Sequence, residues 1–161
     1  MRSKIIGLIL AAFMATGLFA QKLPDVKVED ASGKTVSTLS MIDGETPFIL
    51  TFWASWCKPC QMELAALEEV APDWNGDFPL RIFAVSIDDS RSIADAKALA
   101  AASDWPVTVL FDNKQRLAQA FGVSSIPQVF IFDKDGNQVY THVGYVPGSE
   151  RKLLKRLKKA R

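Results

Sequence analysis

Residues 48–60, Phe48-Ile49-Leu50-Thr51-Phe52-Trp53-Ala54-Ser55-Trp56-Cys57-Lys58-Pro59-Cys60, constrain this chain more than any other stretch. Phe48 to Trp53 is β-branched and aromatic, as suits a buried strand. Met62, Leu64, Ala65, Leu67 and Val70 then recur at helical spacing. The two patterns meet at Cys57-Lys58-Pro59-Cys60, so the only cysteines of the protein stand at a strand-to-helix junction. There Cys57 lies near a helix N-terminus, where free backbone N–H groups and the positive dipole end favour an anion. A free cysteine has a pKa near about 8.5, and each unit of lowering takes about 1.4 kcal/mol of preferential thiolate stabilisation. The helix end and the Lys58 charge together can supply it. Cys60, three residues on, projects from the same helical face. The pair can close a small disulfide ring, or open to a thiolate with a thiol beside it.

The N-terminus has the layout of a secretory leader. Arg2 and Lys4 precede an apolar run from Ile5 to Phe19, interrupted only by Gly7, Thr16 and Gly17. The run is shorter than the roughly 20 residues of a spanning helix. Ala20 before Gln21 offers a small residue at a cleavage point, whereas Leu18 departs from an A-x-A pattern. Residues 1–20 are therefore read as a signal peptide, with cleavage after Gly17 or retention as an N-terminal anchor left open, and residues 21–161 as one domain. Losing two positive charges and no negative ones takes the formal charge from +1 to −1. A nearly neutral domain carries no electrostatic footprint for nucleic acid.

Export also bears on the cysteines, because exported proteins use disulfides as staples. A Cys57–Cys60 ring is a poor staple, since so short a loop restricts the unfolded chain by only roughly 2 kcal/mol. A zinc site wants about four ligands, and the chain adds only one histidine, the distant His142. Gln61 after Cys60 rules out the C-x-x-C-H haem pattern. No metal and no cofactor is expected beyond the redox-active pair itself.

Taken in order, Leu23 to Val28 reads as a short edge strand, followed by a turn at Asp30-Ala31-Ser32-Gly33-Lys34 into Thr35-Val36-Ser37. Pro72 and Gly76 end the helix that begins at the cysteines, and Leu80 to Ile87 is a second strong strand. Ser92-Ile93-Ala94-Asp95 resembles a capping box opening an alanine-rich helix to about Ala102. Val107 to Phe111 is a third strand, and Gln115 to Phe121 a short helix stopped by Gly122. Gln128 to Phe132 and Gln138 to Val143 flank Asp133-Lys134-Asp135-Gly136-Asn137, a hairpin signature rather than a calcium loop. Ser149 to Arg161 is a basic helix with Leu153, Leu154 and Leu157 on one face, seven of its residues being Lys or Arg. Its leucines are read as covering the sheet, with contact to anionic lipid or an acidic partner as the alternative. Strands alternating with helices indicate a parallel sheet portion, and the hairpin adds an antiparallel one.

With Ser124-Ser125-Ile126-Pro127 before the hairpin and Val85-Ser86-Ile87-Asp88-Asp89-Ser90 after the second strand, the cysteine segment completes an ordered set. Over about residues 23–161 the sequence resembles the thioredoxin fold and, within it, exported thiol-disulfide oxidoreductases of the TlpA/ResA/DsbE type. The resemblance implies an α/β, three-layer fold: a central mixed sheet, helices on both faces and a short N-terminal strand extension. It implies that Cys57 is the nucleophile, Cys60 the resolving thiol, and Pro127 a cis-proline presenting Ile126 to a substrate chain. Trp56, Lys58, Pro59 and Ile126 surround the pair as a docking surface, while Trp53 is read as core. Cytosolic thioredoxins place a buried Asp where this chain has Thr51, so proton transfer needs another group. Glu63 and Asp89, with Asp88 as the second choice, match acidic positions of the family; Glu63 on its own reads equally well as a surface carboxylate. The proline that kinks this helix in many relatives is Ala65 here, which predicts a straighter helix.

The leading expectation is a periplasmic or otherwise extracytoplasmic monomer that reduces disulfides of specific client proteins and is recharged by a membrane thiol reductase. Cytochrome c maturation is one client pathway that the resemblance suggests. Two other classes compete. Peroxide reduction of the peroxiredoxin kind calls for proline at position 50 and threonine or serine at 54, where this chain has Leu50 and Ala54. A copper-binding or non-catalytic thiol scaffold calls for His142 close to Cys57.

Overall fold

The computed structural model describes residues 21–161, so the leader reading of residues 1–20 lies outside the described residues. Seven strands form one mixed sheet in the order β2-β1-β5-β4-β3-β6-β7. They are β1 (Lys27–Asp30), β2 (Thr35–Ser37), β3 (Phe48–Trp53), β4 (Ile82–Ser86), β5 (Thr108–Phe111), β6 (Gln128–Phe132) and β7 (Gln138–Val143). The helices are α1 (Lys58–Val70), α2 (Ile93–Ala101), α3 (Arg116–Ala120) and α4 (Ser149–Lys158). Among the described residues no helix is long and apolar enough to cross a membrane.

β3 is the centre of the molecule. All six of its residues are buried because β4 runs parallel on one side, β6 antiparallel on the other, and side chains cover both faces. Phe48, Leu50 and Phe52 pack on Leu117, Ala118 and Phe121 of the α3 region. The alternate residues Ile49 and Trp53 face Leu64 and Leu67 of α1, Ala96 of α2, and Leu153 and Leu157 of α4. Period-two alternation in the strand thus becomes two apolar layers.

The N-terminal segment departs from expectation. The first strand starts at Lys27, not Leu23, and is interior, because β2 folds back outside it and β5 pairs with its other side. The Asp30 carboxylate accepts from Ser32 and Lys34 N–H, and Gly33 takes φ +83°, which closes that hairpin and leaves β2 as the edge. At α2, Ser92 makes no side-chain cap. Its backbone is helical (φ −117°, ψ −6°) instead of extended, and the Asp89 carbonyl takes the Ser92 and Ile93 N–H groups. Helix α1 runs unbroken past Ala65. In the β6–β7 turn Asp133 accepts from Asp135 and Asn137 N–H while Gly136 takes φ +79°, a turn built on its own backbone.

Candidate active site

Where β3 ends, Cys57 N–H donates to the Ala54 carbonyl at 3.0 Å and the chain turns into α1. Cys57 occupies the N-cap, and its Sγ accepts the Cys60 N–H at 3.3 Å. Pro59 sits in the first turn, where a missing N–H costs no intrahelical bond. Lys58 and Pro59 are exposed, and the two cysteines, joined as a disulfide, are buried. Cys57 Sγ therefore takes an N–H of the helix start, the setting that favours a thiolate.

Pairing of Phe52 with Gln128 carries the start of β6 to this end of the sheet. The Ile126–Pro127 bond there is cis, Pro127 is buried, and its carbonyl accepts from Gly144 N–H at 2.8 Å. Ile126 packs on the apolar cluster that contains both cysteines. Trp56 is 65% exposed and lines a shallow cleft with Ile87, Asp89, Arg91 and Gln115. Trp53, by contrast, is fully buried, edge-on to Trp105 with ring centroids 5.2 Å apart.

Two carboxyl groups lie beneath this surface. Asp88 accepts from Ser55 N–H at 2.9 Å, Ser55 Oγ at 2.6 Å and Ser86 Oγ at 2.8 Å, and so ties the turn before Cys57 to the end of β4. Glu63, a helical turn beyond Cys60, is fully buried and not on the helix surface. Its Oε1 accepts from Thr51 Oγ1 at 2.8 Å, and its Oε2 has no partner among the described residues. Burial pushes its pKa up to about 7, against the smaller downward pull of the Thr51 hydroxyl. A buried carboxyl thus reaches the strand from α1, and Thr51 of β3 holds it.

Asp89, the first choice from sequence, lies at the surface. Arg91 donates to it at 2.7 Å and holds its carboxyl below the ordinary value. The adjacent Asp88 is the buried one. Strand alternation carries the signal that separates them: positions 82, 84, 86 and 88 are all buried, and 89 falls out of phase.

Residues 19–141 match the AhpC/TSA family. The chain belongs to that family. Within it the similarity is to thioredoxin-like proteins. The chain is 31% identical over 131 residues to the thioredoxin-like protein YneN of Bacillus subtilis, covering 81% of this chain and 74% of that one. It is 29% identical over 136 residues to the thiol-disulfide oxidoreductase ResA of Bacillus anthracis, covering 80% and 76%. The solution structure of a thioredoxin-like protein from Porphyromonas gingivalis superposes with a TM-score of 0.73 at 40% identity, covering 88% and 92%. The fold is thioredoxin-like, and this AhpC/TSA member is a thiol-disulfide oxidoreductase with its cysteine pair closed as an internal disulfide. Among the described residues no group of three or more His, Cys, Asp or Glu is placed to hold a metal ion.

Proposed function

We propose that the protein is an exported reductase of client disulfides, with Cys57 as attacking thiolate, Cys60 as resolving thiol and Glu63 as the proton acceptor for Cys60. In the first step the Cys57 thiolate attacks one sulfur of the client disulfide, forming a mixed disulfide and releasing one client thiolate. Cys60 then loses its proton to the Glu63 side and attacks Cys57 Sγ. The Cys57–Cys60 bond forms, the mixed disulfide breaks and the second client thiolate leaves. Two electrons pass from the dithiol to the client. An upstream thiol donor, read as a membrane reductase, restores the dithiol.

The observation that carries the assignment is the asymmetry of the pair. Cys57 caps the helix at the turn beside the exposed Trp56, whereas Cys60 is the more deeply buried and shares the helix with Glu63, a carboxyl whose pKa burial raises to about 7. The leader-like residues 1–20 support an extracytoplasmic site of action, and the resemblance points to cytochrome c maturation as a client pathway. Trp56, Ile126 and the cleft floored by Ile87 and Gln115 supply the surface for a client chain. Peroxide reduction is disfavoured by Leu50 and Ala54, both buried apolar residues.

Cys60→Ser, incubated with a disulfide-bearing client, should accumulate a mixed disulfide through Cys57, and Cys57→Ser should form none. Normal turnover by Cys60→Ser without external dithiol would overturn the assignment. A redox titration followed by tryptophan fluorescence sets the direction: a midpoint near about −270 mV fits a reductant, and one near about −120 mV fits an oxidant.

A further inference from the structure

The sheet gives the domain two distinct ends. Phe52 pairs with Gln128 at the redox end, Phe48 pairs with Phe132 at the other, and the β6–β7 turn lies beyond Phe132. The chain enters the described fold at that far end, where the Gln21 carbonyl accepts from Gln138 N–H at 2.8 Å and Lys22 bridges Asn137. Helix α4 starts after β7 and reaches the same end, with Arg156 stacked over Tyr140 at 4.9 Å. Its last residues share a cleft with Asp133, Lys134 and Asp135.

The solvent side of α4 is a cationic strip. Arg151, Lys152, Lys155, Arg156 and Lys159 are all exposed, and none forms a salt bridge with a described residue. Arg161 is paired with Asp77, and Lys158 reaches Asn75. The one acid of the helix, Glu150, is buried and accepts from Gly148 N–H. Of the nearby acids, Asp133 holds its own turn, Asp135 lies 3.5 Å from Lys134, and Asp73 shares a cleft with Arg151 and Lys155 without a salt bridge to either. Spacings of three and four put the cations in two parallel rows along the helix. Leu153 and Leu157 turn fully inward, while the half-buried Leu154 shares a cleft with Val70, Trp74, Arg151 and Lys155 at the edge of the strip.

We infer that this face of α4 seats on an anionic membrane surface and docks the domain by the end opposite its redox pair. A strip of five exposed cations spread along the helix, none in a salt bridge with a described residue, complements negative charge spread over a bilayer. Chain continuity argues the same way. The apolar run Ile5 to Phe19, with Arg2 and Lys4 before it, joins the domain at the end where the strip finishes. Docking there leaves Cys57 and Trp56 facing away from the lipid.

The test is lysine acetylation of the full chain, read residue by residue by mass spectrometry, on vesicles of phosphatidylcholine with or without phosphatidylglycerol. Labelling of Lys152, Lys155 and Lys159 should fall several-fold on the anionic vesicles, with Lys58 beside the redox pair unchanged. Salt at about 0.5 M, which shrinks the Debye length to about 4 Å, should restore it. Arg151→Gln with Arg156→Gln removes two cations that the label does not read. It should return the three lysines towards their neutral-vesicle labelling, since each cation at an anionic surface is worth roughly fivefold in partitioning. Equal labelling on both vesicles would overturn the inference, as would protection that extends equally to Lys58. Protection by an added acidic polypeptide but not by anionic vesicles would overturn it in favour of a protein partner.

Discussion

Asp88 and Glu63 are both fully buried around the cysteine turn, yet Asp88 accepts three hydrogen bonds while Glu63 accepts one and leaves Oε2 bare. The difference separates two uses of a buried acid. A carboxyl whose oxygens are all engaged fixes the groups that engage it, here Ser55 before Cys57 and Ser86 at the end of β4. A carboxyl left half-partnered in apolar surroundings holds its proton to higher pH and can trade it at neutrality. The first holds the turn before Cys57, and the second is a carboxyl that burial keeps protonated up to about pH 7.

The largest expected effect breaks the positional half of that comparison. Asp88→Ala leaves the Ser55 N–H and two hydroxyls without their acceptor and should cost roughly 3 kcal/mol or more of stability in urea denaturation. A loss under about 1 kcal/mol would mean that the turn holds itself. Next in size is a pH dependence. Glu63 has a folded pKa of about 7 against a reference value of 4.5, so between those values the native state binds more protons than the unfolded one. Stability therefore falls as pH rises through that window, by up to about 3 kcal/mol, and is lowest once Glu63 ionises. Denaturation curves at both ends of the window, for the protein and for Glu63→Gln, should show this slope only in the former. Thr51→Val is smaller. It removes the one hydroxyl that lowers the Glu63 pKa, so the pH midpoint of the slope should move upward, with roughly 1 kcal/mol lost where the carboxyl is ionised. Asp89→Asn is the stability control: at the surface and salt-bridged to Arg91, it should leave the denaturation midpoint unchanged.

Local pattern made much of this molecule legible. The Phe48 to Trp53 run, the helical spacing after Cys60, the β6–β7 turn and the inward leucines of α4 all depend on neighbours within four residues, and each formed where the periodicity indicated. The N-terminal strand starts four residues after the apolar Leu23, because Leu23 and Val26 join the core with Phe48, Leu50 and Phe52 while strand pairing begins at Lys27. Adjacent Asp88 and Asp89 look alike in sequence until strand alternation decides which points inward. Glu63 was ambiguous because its helical position is compatible with surface or core, and only the opposing Thr51 makes burial tolerable.

The sequence by itself determined that two cysteines meet at a helix start after a buried strand, within a mixed α/β chain preceded by a leader-like run. Tertiary structure decided that Glu63 and Asp88 are buried while Asp89 is not, and how Ile126 reaches the cysteines. The physical reason is range. Backbone conformation follows from residues a few positions apart, whereas desolvation, partnering and net surface charge depend on groups that meet only across the folded sheet.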